Sequence, residues 1–168
     1  MCIRDSPEGI VTAVEATDNI TWIGTFDNGL YRYDIDKDSM LEVPFDPNAD
    51  NALHSKAITT LLSLPTGELI VGTYGGGASI VAKDGQVIRT IRALAGSGIS
   101  DIVYTLLRDH DGSVLLGNEL GVAKIGSDLI TVTNTEFSSF LVDAGTKTRN
   151  INPVAIQHGD NNLSLIHI

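Results

Sequence analysis

Basic residues are scarce in this chain: 11 lysines and arginines stand against 21 aspartates and glutamates, a formal net charge of −10. No basic cluster offsets that balance, which argues against DNA, RNA or an anionic lipid surface as a partner. Cysteine is nearly missing, with Cys2 alone. That fits an exported protein as well as a cytosolic one, so redox compartment is not encoded. No run of about 18 apolar residues occurs, so nothing here reads as a membrane-spanning helix or predicts direct membrane contact. Helical patterning is lacking too: apolar residues never hold a 3.6-residue period for more than about two turns. Glycine, by contrast, is plentiful at 17 residues beside a 42% hydrophobic fraction. That composition suits a turn-rich all-β chain and not a disordered one.

The two ends mirror each other in an unusual way. Leu163-Ser164-Leu165-Ile166-His167-Ile168 can be written as the codons CTG TCT CTT ATA CAC ATC. The reverse complement, read one base in, is ATG TGT ATA AGA GAC AG, which encodes Met1-Cys2-Ile3-Arg4-Asp5 and begins Ser6. Ends related in this way are not explained by selection on a fold, and they resemble a transposase-type library adapter read through at both sides. Residues 1–6 and 163–168 are therefore expected to be adapter-derived, with native text from Pro7 to Asn162. Met1 is then no true start, and the missing signal peptide carries no information. The chain length corresponds to one domain or a part of a larger one.

Three segments align without gaps: Ala13–Thr25, Leu61–Thr73 and Leu106–Asn118. Their marker glycines are Gly24, Gly72 and Gly117, spaced by 48 and 45 residues. Each copy reads as four short strands. The first is apolar, as in Ala57–Leu64 and Ile102–Arg108, and ends at a turn such as Pro65-Thr66-Gly67 or His110-Asp111-Gly112. The second is Trp22–Thr25, Leu69–Thr73 or Val114–Asn118. A hairpin follows, and Asn28-Gly29 predicts a two-residue turn with positive φ. The third is Leu30–Tyr33, Ala78–Ala82 or Val122–Ile125, and the fourth is exemplified by Gln86–Ile91. Ala155–Asn162 matches the opening of a fourth copy. A four-stranded meander cannot bury both faces alone, so successive meanders must stack face to face. The glycine closing each second strand is expected to admit close packing where blades converge.

The fold expected is all-β, a partial β-propeller of about three four-stranded blades plus the first strand of a fourth. The expected limits are 7–56 for the first blade with its connecting loop, 57–100 for the second, 101–150 for the third and 151–162 for the start of the fourth. Such an array cannot close a ring, so its end blades should expose apolar faces and strand edges.

The run Trp22-Ile23-Gly24-Thr25-Phe26-Asp27-Asn28-Gly29-Leu30-Tyr31-Arg32-Tyr33-Asp34 resembles the repeat of the two-component regulator propeller family. So does Phe45-Asp46-Pro47-Asn48-Ala49-Asp50-Asn51-Ala52-Leu53-His54-Ser55, with its Asp-Pro-Asn and Leu-His-Ser elements. The third repeat departs, with Asn118-Glu119-Leu120-Gly121 in place of Gly-Thr-x-x-Gly-Gly. The resemblance implies tandem propellers forming the periplasmic sensor region of a membrane-anchored signalling protein, with a histidine kinase or diguanylate cyclase as output. It implies a small-molecule or glycan ligand, with the parent's remaining blades as further partners. A propeller enzyme (a lyase or glycan hydrolase) and a cytosolic interaction scaffold are the alternatives.

No catalytic set can be singled out. Acids are plentiful but form no general acid–base pair, and no serine has a nucleophile-elbow context. Asp34-Ile35-Asp36-Lys37-Asp38-Ser39 alternates oxygen ligands as a calcium loop does, but its sixth position is Ser and its twelfth is Phe45. Gly72–Gly77 follows a strand but precedes another strand and lacks the phosphate-loop lysine. His54, His110 and His158 lack metal-ligand spacing. No metal, cofactor or catalytic residue is therefore expected. In a propeller, loops joining fourth to first strands and second to third strands share one face. That face would carry 26–28, 46–56, 74–77, 95–101, 118–120 and 143–152, with His54, Tyr74, Asn118 and Arg149 as candidate ligand contacts.

Overall fold

The structure, a computed structural model, describes residues 9–93, 99–135, 155–159 and 162–166. Among them there is no helix. Three four-stranded antiparallel meanders follow one another. The first comprises β1 (Val11–Thr17), β2 (Ile20–Thr25), β3 (Leu30–Asp34) and β4 (Ser39–Glu42). The second comprises β5 (Ile58–Ser63), β6 (Leu69–Thr73), β7 (Ala78–Val81) and β8 (Val87–Ile91). The third comprises β9 (Val103–Arg108), β10 (Val114–Asn118), β11 (Gly121–Ile125) and β12 (Val132–Thr135). A hairpin of β13 (Ala155–Gly159) and β14 (Asn162–Ile166) completes the order. The strand β14 thus runs into the segment set aside as adapter-derived; its alternation of Leu163, Ser164 and Leu165 suits a strand whatever its origin.

The first strands of successive meanders lie side by side, β1 against β5, β5 against β9 and β9 against β13. That is blade packing, and the fold is a partial β-propeller. The core sits between the blades. Ile20, Trp22 and Leu30 of the first blade meet Ile58, Leu69, Val71, Val81 and Val87 of the second. Ile70, Ala78 and Ile80 on the second blade's other face meet Val114, Leu116, Ala123 and Ile125 of the third. All five residues of β6 are buried, because both faces of a middle blade are covered. Among the described residues none covers the first blade's leading side, where Ile10, Val11 and Val14 are exposed.

Polar contacts repeat across the blade gaps. Each first strand carries a β-bulge, at Thr12, Thr59 and Tyr104, beside the pairing with the marker glycine. The Thr12 hydroxyl donates to the Ile58 carbonyl at 2.6 Å, and Thr59 donates to Val103 at 2.5 Å. Arginines clamp the next blade's third-to-fourth-strand turn. Arg32 Nε donates to the Lys83 carbonyl at 2.7 Å, and Arg89 Nη1 to those of Leu129 and Ile130 at 2.8 and 3.0 Å. Arg32 is on a third strand paired with Leu41, whereas Arg89 is on a fourth strand paired with Ile80. The cation has changed strands from one gap to the next yet makes the equivalent contact.

Two local expectations are corrected. The gapless alignment fails in the first strands: Gly24 pairs with Ala13, but Gly72 and Gly117 pair with Thr60 and Thr105, each one residue ahead of the aligned leucine. The cause is turn length. Thr17 pairs directly with Ile20, whereas Leu64 and Glu68 close a three-residue loop, as do Asp109 and Ser113. The hairpin at Asn28-Gly29 is also not a two-residue turn. Thr25 N–H donates to the Gly29 carbonyl across three residues, and only Gly29 has positive φ (88°). The Thr25 hydroxyl donates to that carbonyl and accepts from Asn28 N–H. Thr73 and Gly77 repeat the arrangement.

Candidate functional site

The loops expected to share a face are bonded to one another. In the first connecting loop, the Lys56 carbonyl accepts from Gly29 N–H at 3.0 Å, binding the first blade's hairpin. Ser55 Oγ donates to the Tyr74 carbonyl and Tyr74 N–H donates to the Ala57 carbonyl, both at 2.8 Å, binding the second. In the next loop, the Asp101 carbonyl accepts from Gly75 and Gly77 N–H at 2.9 and 2.8 Å. Ser100 Oγ donates to Glu119 Oε1 of the third blade's hairpin at 2.6 Å. Among the described residues, the first two connecting loops thus each staple the hairpins of both flanking blades.

Tyr74 has its backbone pinned by these bonds and its side chain half exposed (50%). His54 is half-buried between Leu53, fully buried and bonded to Pro44, and Ser55, bonded to Tyr74. Ser55 therefore brings the Tyr74 and His54 segments together. Asn118 is a correction. It is fully buried (0% exposed), and its Oδ1 accepts from Leu120 N–H at 2.7 Å. It pairs with Gly121 across a two-residue turn, so its amide takes the capping role that the Thr25 and Thr73 hydroxyls hold elsewhere. Arg149 lies outside the described residues.

Tyr104, Glu119, Asp101 and Arg92 join this neighbourhood without having been singled out in the sequence. Tyr104 occupies the bulge where the other blades place threonine. Burial raises its phenol pKa, and the nearby Tyr74 and Glu119 push it further. The Asp101 carboxylate accepts from Ala93 N–H at 2.7 Å and pairs with Arg92 at 3.3 Å. A bulge leaves no mark in composition, so spacing alone could not have found Tyr104.

The other sequence motifs resolve into turns. Burial works against the Asp34 charge, but the Lys37 N–H and ammonium and the Arg32 guanidinium overcome it and hold its pKa below the ordinary value. Asp36 accepts from Asn19 and Asp38 from Tyr33, so the three carboxylates of that segment face separate partners. In Gly72–Gly77, a hairpin, the N–H groups of Gly75, Gly76 and Gly77 are all taken within the protein: Gly76 donates to Thr73 Oγ1, and Gly75 and Gly77 donate to the Asp101 carbonyl of the next loop. Asp111 is held well below the usual carboxylate range by Lys124, at 2.7 Å, and then by Ser113.

No family model matches the chain, and no curated protein matches it. Solved structures do. The extracellular domain of BT3049 from B. thetaiotaomicron, assigned as a hybrid two component system, matches with a TM-score of 0.62 at 18% identity, covering 82% of this chain and 20% of that one. The corresponding domain of BT4673 from the same organism gives 0.63 at 22% identity, covering 79% of this chain and 18% of that one. The computationally designed Ika4 protein gives 0.63 at 16% identity, over 95% of this chain and 86% of its own. The chain therefore spans only a small part of the two natural domains. It is a run of β-propeller blades similar in fold to extracellular domains of hybrid two-component systems.

Proposed function

We propose that this chain is part of an extracytoplasmic, ligand-sensing β-propeller of a bacterial signal-transduction protein. The likeness in fold to extracellular domains of two-component systems carries the reading. The stapled loop face supports it: a ligand touching Tyr74 or His54 would contact loops already bonded to neighbouring blades, so its binding would be felt across them. Small molecules or glycans are the ligand class that the sequence resemblance implies. The exposed leading side of the first blade, with Ile10, Val11 and Val14, suits a further blade. A kinase or cyclase output and its membrane anchor would lie elsewhere in the parent. The test is the coding sequence on either side of this repeat. A transmembrane segment followed by a histidine kinase or diguanylate cyclase signature is expected; a stop codon soon after the last blade overturns the proposal.

A further inference from the structure

A concavity lies at the outer rim, where the first connecting loop meets the last strand of the second blade. Its volume is about 350 Å³, and Asp50, His54, Ile88, Arg89, Thr90 and Arg92 line it. That is toward the small end of sites for compact ligands. Three features mark it out.

The first is the shape of β8. Ile80 pairs with Arg89 and Val81 with Val87, so Ile88 is an extra residue bulged out of the ladder and 58% exposed. Bulges of this kind re-aim side chains beside sites. The second is charge. In a chain of net charge −10, two of its few arginines converge on this cavity. Arg89 spends Nη1 on two carbonyls and Arg92 one contact on Asp101, while a guanidinium carries five N–H donors in a fork that fits a carboxylate. The third is His54, whose half-buried ring forms part of the wall. Its Nδ1 is sealed from solvent without a hydrogen-bond partner, so a ligand in the cavity meets the other edge of the ring.

From these we infer that the rim cavity is a binding site for a compact organic carboxylate. Arg92 and Arg89 supply the counter-charge beside the Asp50 carboxylate that also lines the cavity. The His54 imidazole supplies a further polar contact and Ile88 an apolar wall, while the Thr90 hydroxyl is shared with Ser79 at 3.0 Å. The ligand would touch two stapling points together. Arg89 holds the third blade's turn, and Arg92 holds Asp101, whose carbonyl fastens the Gly75–Gly77 hairpin. The inference rests on the sensing reading only for what occupancy would signal. Binding is tested on the chain itself, so the two can fail separately.

The test is calorimetric titration of the full chain with malonate at constant ionic strength, with neutral malonamide beside it. Saturable binding of malonate alone is expected. Arg92→Gln should weaken it by roughly tenfold or more, and His54→Gln should weaken it while keeping Arg92 and its Asp101 contact. Arg108→Gln, at the far end of β9, should bind as the unaltered chain does. No saturable heat with malonate, or equal weakening by Arg108→Gln and His54→Gln, would overturn the assignment.

Discussion

Replacing Gly24 by alanine puts one methyl group into the gap between the first two blades. A Cβ there would lie 2.5 Å from Ile58 Cγ2 and 3.0 Å from Ile58 Cβ, about 1 Å inside comfortable carbon–carbon contact. Gly24 does not occupy the left-handed backbone region, so the cost is steric. Overpacking of this size destabilises by about 1–3 kcal/mol, offset by about 0.4–1 kcal/mol from the stiffer unfolded chain. The single tryptophan, Trp22, is 2% exposed in the same interface and reports its opening by fluorescence in urea. Ile58→Ala alone should cost about 2–5 kcal/mol. In the double variant the new methyl enters the vacated space, so the combined loss should fall short of the sum by about 1 kcal/mol or more. Gly67→Ala is the contrast: its Cβ meets nothing within 4 Å, but its φ is +101°. Its cost of about 1–2 kcal/mol is backbone strain and should not couple to Ile58→Ala. Additivity of Gly24→Ala with Ile58→Ala to within about 0.5 kcal/mol would refute the claim that this glycine exists to let the next blade approach.

Thr73→Val keeps the shape of the second hairpin but removes the hydroxyl that bonds the Gly77 carbonyl and Gly76 N–H. The fully buried site should lose about 1–3 kcal/mol, whereas Thr73→Ser should keep most of it; equal losses in urea denaturation would contradict the capping role. Asp128 accepts from the Thr131 hydroxyl and from Thr131 and Ile130 N–H, which lowers its pKa from the ordinary 3.8 to about 2. Its folded value lies below its unfolded one, so its stabilisation of the turn is complete above the unfolded value and lost as pH falls through about 2. A carboxyl-carbon NMR titration that placed Asp128 at or above 3.8 would contradict those bonds.

Much of the architecture was legible because it is written locally. Strand positions came within a residue or two, since alternating apolar residues bounded by Gly, Pro and Asp turns encode a meander without reference to distant residues. The spacing of Gly24, Gly72 and Gly117 announced stacked, equivalent units, and the close approach of Ile58 and Val103 to Gly24 and Gly72 is the physical reason those positions are glycine. The candidate site was less legible. Loop membership of Tyr74 and His54 could be read from strand order, but Asn118 was placed among the loop contacts although it is the buried capping residue of its hairpin, the position that Thr25 and Thr73 hold in the other blades.

What the sequence by itself determined is the all-β repeat, the order of its strands and the face that its loops share. Only the tertiary structure decided the bulges at Thr12, Thr59, Tyr104 and Ile88, the shift of the clamping arginine from β3 to β8, and the orphaned Nδ1 of His54. Each depends on which carbonyl or side chain stands opposite once neighbouring sheets have settled into register. That register is set by packing between residues tens of positions apart, and no local pattern carries it.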